Sequence, residues 1–388
     1  MAARGSWAVA VIVALAALAG CSGGAAHAAG PTSAAVAPAA VVTTTPADRS
    51  GGVSPGQPVR VAVRDGRLEQ VAVAAADGST VAGAPSPDGT TWTSTAPLAY
   101  ATTYTYRGTV RGADGRTTPL AGSFSTVAPS STLDGSINIP DDDTVGIAAP
   151  IIVQFDGPVA DKAAAQRALQ VRTSVPTPGS WAWLPDTADG SRAHWRPENY
   201  WTPGTQVSVT ANLFGADLGG GAWGKRTVSS HFTIGRSQIV KADVNSHQLV
   251  VVRDGQTVMT LPASYGLGSD PNRNTTNGIH VVMGKQQTVL MSNPAYGYSN
   301  VPEHWAVRIS DDGEFIHANP DTTGDQGSSN VTHGCVNLST ADAQAYFNTA
   351  LFGDPVEVTN SPVPMPHTDI YDWSLPWPQW QALAEPPA

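Results

Sequence analysis

The chain has 388 residues, of which 39 are glycine, 31 are proline and only 13% are charged. This composition is typical of a turn-rich β protein with two or three domains rather than of a helical one. The formal net charge of −10 excludes a nucleic-acid partner and a polybasic membrane contact, because both require clustered positive charge.

The first twenty residues have the organisation of an export signal, predicted as a lipoprotein signal peptide over 1–20. Arg4 gives a positive start, and the apolar run that follows is too short to span a bilayer. Residues 18–21, Leu-Ala-Gly-Cys, resemble a bacterial lipobox, in which Cys21 would be lipidated and become the mature N-terminus. Ordinary cleavage after Ala28 is the alternative. Either route predicts an exported protein, and the lipobox predicts a lipid anchor in the cell membrane, facing the periplasm or cell wall.

The segment 21–56 is predicted to be a flexible tether. It consists mainly of alanine, threonine, proline, glycine and serine, so it has too few large apolar side chains to form a core. A flexible chain of this length has a root-mean-square span of about 30 Å. Such a tether would hold the folded part away from a membrane.

Two β-sandwich domains are predicted, over residues 57–128 and 129–235. Alternating valines at 59–63 and Asp-Gly pairs at regular intervals indicate short strands joined by turns. Several features recur about a hundred residues later, as Tyr100 does at Tyr200, which indicates a duplication. We therefore expect two immunoglobulin-like sandwiches without a disulfide.

The second of these domains contains a short predicted helix and a concentration of tryptophans. Asp161 is placed to cap a helix that extends to Leu169. The tryptophans are interpreted as core and interface residues, and an exposed glycan-binding platform is the alternative. They are Trp181, Trp183, Trp195, Trp201 and Trp223.

A third, β-rich domain with one main helix is predicted over residues 236–360. A hairpin turns at 253–256, and a further strand is predicted at 278–283. His280 lies on that strand and is interpreted as structural. Ser339 begins the helix through a capping box, and Gly353 ends it.

The residues that can carry chemistry are concentrated in Val-Thr-His-Gly-Cys-Val-Asn-Leu-Ser at 331–339 and in an upstream Phe-Ile-His ending at His317. A free thiol is mostly protonated at neutral pH, so Cys335 needs a base to act as a nucleophile. Either His317 or His333, two residues from the cysteine, can supply one. Gly334 lets the backbone approach a substrate closely and leaves N–H groups for an oxyanion. These residues predict a cysteine acyl-transfer enzyme.

Other interpretations of the cysteine remain open. A lone cysteine is most often a small buried hydrophobe. His317, His333 and Cys335 could form a zinc site, although no Cys-x-x-Cys or His-Glu-x-x-His accompanies them. A disulfide to Cys21 would consume the nucleophile and tie the core to a flexible terminus. We expect no metal and no cofactor.

The spacing of these residues resembles the signature of the L,D-transpeptidase (YkuD-type) catalytic domain. His317 is followed after fourteen residues by Thr332-His333-Gly334-Cys335-Val336-Asn337, where the family has Ser/Thr-His-Gly-Cys-x-Asn. The resemblance covers roughly residues 236–360. The whole chain is similar in arrangement to actinobacterial lipoprotein transpeptidases with two immunoglobulin-like domains.

The resemblance implies an enzyme that acts on peptidoglycan. Cys335 would form a thioester with a stem tetrapeptide, release D-alanine and pass the acyl group to an amine of a neighbouring stem, giving a 3→3 cross-link. His317 would be the general base and acid, oriented by an adjacent backbone carbonyl. The backbone of His333, Gly334 and Cys335 would bind the oxyanion. The implied substrate contacts are the lid tyrosine nearest Tyr298, the cleft-edge turn Asp312-Gly313, and Asn337.

The segment 361–388 resembles the family's C-terminal extension, which packs against the catalytic sheet, and we expect it to be buried. The sequence leaves two other functions open. One is an L,D-carboxypeptidase that uses water as the acceptor, and the other is a wall-binding lipoprotein without activity. The expected partners are peptidoglycan stem peptides and, through the lipid, the membrane, and the chain is expected to be monomeric.

Overall fold

A computed structural model describes residues 37–368 and 370–385 of the chain. It contains β-rich domains in succession, which confirms the predicted, mainly β fold class. The predicted signal peptide, Cys21 and the tether up to residue 36 lie outside the described residues. Within the described part, no helix has the length and apolar character needed to cross a membrane.

The first domain is a sandwich of two sheets. Its strands are β1 (Val41–Thr45), β2 (Ser50–Val53), β3 (Arg60–Arg64), β4 (Gly66–Ala75), β5 (Gly83–Pro85), β6 (Thr91–Ser94), β7 (Thr103–Gly112), β8 (Thr117–Leu120) and β9 (Ser123–Thr126). One sheet has the order β1-β3-β6-β5, and the other has the order β2-β9-β7-β4 with β8 also paired to β7. Residues that alternate inward, such as Val59, Val61, Tyr106 and Phe124, form the core between the sheets.

The predicted end of the tether at residue 56 is wrong. Strands β1 and β2 lie inside that segment and belong to the first sandwich. Val41 and Val42 begin a β-branched run that pairs with β3 in antiparallel register from Val41 opposite Arg64 to Thr45 opposite Arg60. A low content of large side chains therefore did not prevent strand formation, because the partner strand supplies the core.

The second domain repeats the strand order of the first. Its elements are β10 (Ser131–Leu133), β11 (Gly135–Ile137), β12 (Asp143–Val145), β13 (Ile151–Phe155), α1 (Lys162–Ala168), β14 (Leu169–Thr173), β15 (Gly179–Thr187), β16 (Gly190–Pro197), β17 (Gln206–Ala211), β18 (Ala222–Gly224) and β19 (Val228–Ile234). The sheets are β11-β13-β16-β15 and β12-β19-β17-β14, and β10 pairs with β18. The Asp161 carboxylate caps α1 by accepting a hydrogen bond from the Ala164 amide, as the sequence predicts.

The tryptophans of this domain are packing residues. Trp181, Trp183, Trp195 and Trp201 belong to its buried core. Trp223 lies at the junction with the first domain, with its ring centroid 6.3 Å from that of Tyr100. These five side chains form no exposed aromatic platform, which favours the packing interpretation over glycan binding.

Tyr100 and Tyr200 both lie at domain junctions. The Tyr100 hydroxyl donates to the Gly224 carbonyl at 2.7 Å and accepts from the Gly215 amide at 3.0 Å, which joins the two sandwiches. The Tyr200 hydroxyl donates to the Glu357 carboxylate at 3.1 Å, which joins the second sandwich to the third domain. The duplicated tyrosine therefore has an equivalent place at successive junctions.

The third domain contains two sheets and the longest helix. Its elements are β20 (Gln238–Asp243), β21 (Gln248–Arg253), β22 (Gln256–Pro262), β23 (Gly278–Val281), β24 (Gly284–Asn293), β25 (Tyr298–Arg308), β26 (Phe315–Ala318), β27 (Val336–Leu338), α2 (Thr340–Thr349) and β28 (Pro355–Thr359), followed by the short helix α3 (Trp377–Gln381). The sheets are β22-β21-β20-β28-β23 and β24-β25-β26-β27, with one apolar core between them. Ser339 caps α2 as predicted, although the helix ends at Thr349, before Gly353.

The C-terminal segment is buried only in part, at Met365, residues 370–372 and Trp380, and it packs on two domains. Ile370 contacts Val281 of the catalytic sheet, as the resemblance implies. Tyr371 and Trp380 instead pack with Ala182 and Leu184 of the second sandwich, which the sequence did not predict. The reason lies in the outer face of β15 and β16, where Ala182 and Leu184 lie beside His194 and Arg196 and need a cover.

A buried cation and a buried histidine–carboxylate contact fix this segment. The Arg196 guanidinium lies 4.6 Å from the ring centroid of Trp373 and 4.9 Å from that of Trp380, and it donates to the Leu375 carbonyl at 2.8 Å. His194 Nδ1 lies 3.1 Å from the Asp372 carboxylate, and both side chains are fully buried. The segment is therefore bound to β16 by directional contacts as well as by apolar area.

We expect Trp380→Ala to destabilise the second sandwich by about 3–5 kcal/mol, because it removes a fully buried indole and leaves a cavity. It also removes the hydrogen bond from the indole N–H to the Ser180 carbonyl at 3.0 Å. Urea unfolding followed by tryptophan fluorescence and circular dichroism measures the effect. Leu383→Ala is the matched control, since that side chain is 36% exposed. Equal unfolding midpoints for the two variants would contradict the role assigned to the segment.

Candidate active site

The site is built on the parallel pair β26 and β27. The register places His317 opposite Asn337, with Ile316 opposite Val336 in the core. All four residues of β26 are buried, because its apolar residues pack between β25 and α2. Cys335 immediately precedes β27, so this register brings its thiol to the His317 side of the sheet.

Cys335 is a free, partly exposed cysteine. Its thiol lies 3.6 Å from the Gly313 carbonyl and is also within hydrogen-bonding reach of the His317 ring. A thiol that is fully buried and inert would have neither a polar neighbour nor access to solvent. The interpretation of Cys335 as a small buried hydrophobe is therefore disfavoured.

The His317 ring is held through its Nδ1 atom by two acceptors. The Ala318 carbonyl lies 2.9 Å from Nδ1, and a carboxylate oxygen of Glu303 lies 3.0 Å from it. Because both partners only accept, Nδ1 must carry a proton, which leaves Nε2 for the thiol. Ala318 is suitable at its position since only its main chain is used.

The charges around His317 favour its protonated form. Burial alone would lower the pKa of this ring, but the hydrogen bonds and charges of Cys335 and Glu303 outweigh burial and raise the pKa to about 10. At neutral pH the ring is therefore an imidazolium next to the thiol. Glu303 was not among the residues that the sequence indicated.

His333 is exposed and contacts tyrosine rings. Its ring packs against those of Tyr296 and Tyr298, with centroids 4.6 Å and 5.7 Å away. The chain bends at residues 333–335, where Gly334 has a φ of 120°, so residues 333 and 335 do not share the face of an extended strand. Burial, followed by the positive charge of Arg273, lowers the pKa of His333. The structure thus pairs the thiol with His317.

Thr332 organises the backbone around Gly334. Its hydroxyl donates to the Cys335 carbonyl at 2.6 Å and accepts from the Gly334 amide at 3.2 Å. The Gly334 N–H is already used by this hydroxyl, so its role as an oxyanion donor stays a prediction. The amides of His333 and Cys335 have no acceptor among the described residues and are the remaining donors.

Two further residues hold this bend from the other side. The Thr275 hydroxyl donates to the Gly334 carbonyl at 2.7 Å. The Arg273 guanidinium donates to the Val331 and Thr332 carbonyls. Neither residue was indicated by the sequence, since both lie in a loop that precedes β23 and reach the site only through the tertiary fold.

Two cavities open onto the thiol. One, of about 300 Å³, is lined by His317, Glu303 and Asn337, and the other, of about 380 Å³, is lined by Asp312 and Gly313 among others. Both are also lined by Cys335, Tyr298 and His333. The thiol can therefore be approached through either cavity.

The remaining predicted contact residues border these cavities. The Asp312 carboxylate accepts from the Thr368 hydroxyl at 3.0 Å, which ties the cleft edge to the C-terminal segment. The amide nitrogen of Asn337 donates to the Thr322 hydroxyl at 3.3 Å, whereas its oxygen is buried without a partner. An unsatisfied buried acceptor is costly unless a ligand donates to it, so Asn337 is suited to receive a substrate N–H.

His280 has a structural environment, as interpreted from the sequence. It is fully buried, with its ring nitrogens near the Ile309 and Thr276 carbonyls and 3.6 Å from the Glu314 carboxylate. Among the described residues, no group of three or more His, Cys, Asp or Glu side chains is placed to hold a metal ion. The zinc interpretation of the Cys–His cluster therefore has no geometric support.

The fold and the site together define an acyl-transfer enzyme of the kind suggested by the Cys–His signature. The family model of the L,D-transpeptidase catalytic domain matches residues 237–358, and that of a bacterial Ig domain matches residues 50–217. L,D-transpeptidase 5 of Mycobacterium tuberculosis is 50% identical over 355 residues, which are 90% of this chain and 79% of that protein. The chain belongs to the L,D-transpeptidase family.

Other relatives give the same result. L,D-transpeptidase 2 of Mycobacterium tuberculosis is 37% identical over 350 residues, covering 88% of this chain and 84% of that protein. The solved structure of LD transpeptidase LdtMt1 in complex with imipenem is 32% identical to this chain, with a TM-score of 0.50. The match covers 60% of this chain and 100% of the solved chain. The similarity thus includes the sandwich domains as well as the catalytic domain.

Proposed function

We propose that this chain is a peptidoglycan L,D-transpeptidase that forms 3→3 cross-links through a thioester on Cys335. The observation that carries the proposal is the Cys335–His317 pair at the meeting point of two cavities, within a transpeptidase catalytic domain. A two-substrate acyl transfer needs one nucleophile that both substrates can reach.

In the first half-reaction the Cys335 thiolate attacks the carbonyl carbon of the third residue of a stem tetrapeptide. The developing oxyanion accepts hydrogen bonds from the His333 and Cys335 amides. The C–N bond to the terminal D-alanine then breaks, and the His317 imidazolium donates its Nε2 proton to the departing amine. The products are a thioester, free D-alanine and a neutral imidazole.

In the second half-reaction the amine of a neighbouring stem attacks the thioester carbonyl. The now neutral His317 accepts a proton from that amine, the new C–N bond forms, and the C–S bond breaks to return the thiolate. The imidazolium and the thiolate are regenerated together. The Asn337 oxygen, which lacks a partner, is suited to accept an N–H of the bound stem.

Incubation with a purified stem tetrapeptide, followed by mass spectrometry, tests this function. Cross-linked dimer with loss of one D-alanine is the expected product. Tripeptide alone would instead show a carboxypeptidase, in which water takes the place of the amine. The absence of any adduct or product from folded protein would contradict both enzymatic functions and favour the wall-binding alternative.

We also propose that Cys21 carries a lipid that anchors the chain to the outer face of the cell membrane. The support is the lipobox-like Leu-Ala-Gly-Cys at 18–21 and the polar segment that follows it. Two sandwich domains would then space the cleft from the membrane.

Cys21→Ala is expected to release the protein from membranes, because a covalent lipid supplies the membrane affinity in this arrangement. Fractionation of cells that express each form measures the effect, and the rate of peptide cross-linking by the released protein should be unchanged. Ser22→Ala is the neighbouring control. Complete retention of the Cys21→Ala protein in the membrane fraction would show that the anchor lies elsewhere.

A further inference from the structure

We infer that Glu303 is a positioning residue of this site, which holds the His317 ring and its positive charge through Nδ1 and so forms a Cys335–His317–Glu303 triad. The inference rests on the proposed function, because it assigns Glu303 to the same acyl transfer. Three observations carry it: the backbone that aims the carboxylate, the lack of another cation for it, and its contact with Nδ1.

A bulge in β25 aims Glu303 at the site. Val307 pairs with Ile316 and His304 pairs with Ala318, so three steps along β25 correspond to only two along β26. Because of the extra residue, the side chains of β25 before the bulge lie on the opposite face of the sheet from where a regular strand would place them. A regular ladder would put Glu303 on the same face as Ala318. The bulge puts it on the face of His317.

The bulge is centred on a residue with an unusual backbone. Trp305 has a φ of 53°, in the left-handed region that bulky side chains rarely adopt. Its ring packs on Phe347 of α2, with centroids 5.4 Å apart, and so anchors the bulge to the core. Such conformations persist only where the surrounding packing maintains them, and they are found next to functional sites.

The Glu303 carboxylate has no other cationic partner among the described residues. Its side chain is only 16% exposed, and the His317 side chain is 4% exposed, with 3.0 Å between the carboxylate oxygen and Nδ1. No lysine or arginine lines their common cavity. A buried carboxylate in such a place is unfavourable unless a charge or hydrogen-bond donor compensates it, and only the His317 ring does so.

The other ionisable groups around His317 do not replace this interaction. Cys335, Tyr298, His333 and the exposed Asp321 line the same cavity as the ring. Burial, followed by the charges of Cys335 and Glu303, raises the pKa of Tyr298, so this hydroxyl stays neutral near pH 7. His304 lies on the opposite face of β25, with its ring against Thr288.

The consequence is a charge balance across the imidazole. The pKa of His317 is raised to about 10 because the favourable partners outweigh burial, and Glu303 is one of the two partners. An opposite charge at this distance typically shifts a pKa by about 1–3 units. Removing the charge should therefore lower the pH at which the ring loses its proton, while leaving the Ala318 carbonyl to hold Nδ1–H.

The test compares Glu303→Gln with Glu69→Gln in the full chain. Glu69 is a matched control, since it also lies on a strand next to a cation, with 2.7 Å to Arg111, but in the first sandwich. Proteins labelled at histidine carbon and nitrogen are titrated by NMR, and the His317 signals are assigned by their loss in His317→Gln. We expect the His317 midpoint to fall by about one unit or more in Glu303→Gln only.

The protonation of His317 should also affect the pH dependence of acylation at Cys335. We expect the rate of acylation by stem tetrapeptide in Glu303→Gln to decline at a lower pH than in the wild type, because the acid that protonates the leaving amine is lost sooner. An unchanged His317 midpoint in a folded Glu303→Gln protein would overturn the inference. So would a lower unfolding temperature with no change in that midpoint, which would show a packing role only.

Two features separate this inference from the proposed function. The ring titration needs no substrate, so a shifted midpoint would support Glu303 even if no stem peptide reacted. Should Glu303→Gln fail to fold, the NMR titration of the wild-type protein still tests the inference. The inference requires that the wild-type His317 ring is protonated at pH 8. A ring that is neutral at pH 8 would overturn the inference.

Discussion

Cys335→Ala is expected to abolish turnover, with a loss on the order of 10⁶ in rate, as when the nucleophile of a covalent enzyme is removed. In the proposed mechanism the Cys335 sulfur forms the acyl bond, and the described part of the chain contains no second cysteine to replace it. Liquid chromatography of stem tetrapeptide mixtures measures the loss. We also expect a carbapenem to add covalently to Cys335, because this is the free thiol of the described residues.

Intact-protein mass spectrometry tests that addition directly. The wild-type protein should gain one carbapenem mass, and Cys335→Ala should gain none. Thr332→Ser is a useful control, because it keeps the hydroxyl that bonds the Gly334 amide and the Cys335 carbonyl and should still be acylated. A mass increase on the Cys335→Ala protein would contradict the assignment of the nucleophile.

His317→Ala is expected to lower the acylation rate by about 10²–10⁴, the usual contribution of a positioned general acid or base. It should also move the half-maximal rate of thiol alkylation to higher pH, because the imidazolium that stabilises the thiolate is lost. His333→Gln should cost less, since the expected contribution of His333 is its backbone amide and its ring packs against tyrosines.

Stopped-flow acylation and iodoacetamide alkylation from pH 5 to 10 distinguish the two histidines. The pKa of His317 is raised to about 10, so in the wild type the acid function should persist through neutral pH and fail only as the pH approaches that value. The roles would be reversed if His333→Gln moved the alkylation profile and His317→Ala left it in place.

Local patterns in the sequence predicted the parts of the structure that depend on neighbours in the chain. Asp161 and Ser339 cap their helices because a cap uses residues within one turn. The Cys335 and His317 pair was predictable since the spacing of the signature is fixed by the β26–β27 register. The repeat from Tyr100 to Tyr200 likewise predicted two equivalent sandwiches.

The features that the sequence missed depend on contacts between distant segments. Glu303 reaches His317 only because of a bulge whose position no alternation pattern discloses. The use of the Gly334 amide by Thr332 follows from a bend that the motif does not specify. The cover over β15 and β16 comes from residues nearly two hundred positions later, which only the folded chain brings together.

Completion of the second sandwich depends on residues about 200 positions further along the chain. Trp380 covers Ala182 and Leu184, so a growing polypeptide that has finished both sandwiches still exposes this apolar face until residue 380 has been made. The first domain has no such dependence, because its core is contained within residues 53–124. During synthesis, folding should therefore begin at the N-terminal sandwich, and the last step should join the second sandwich and the catalytic domain at once. A chain shortened before Trp373 would carry an uncovered patch, which makes premature termination a route to aggregation.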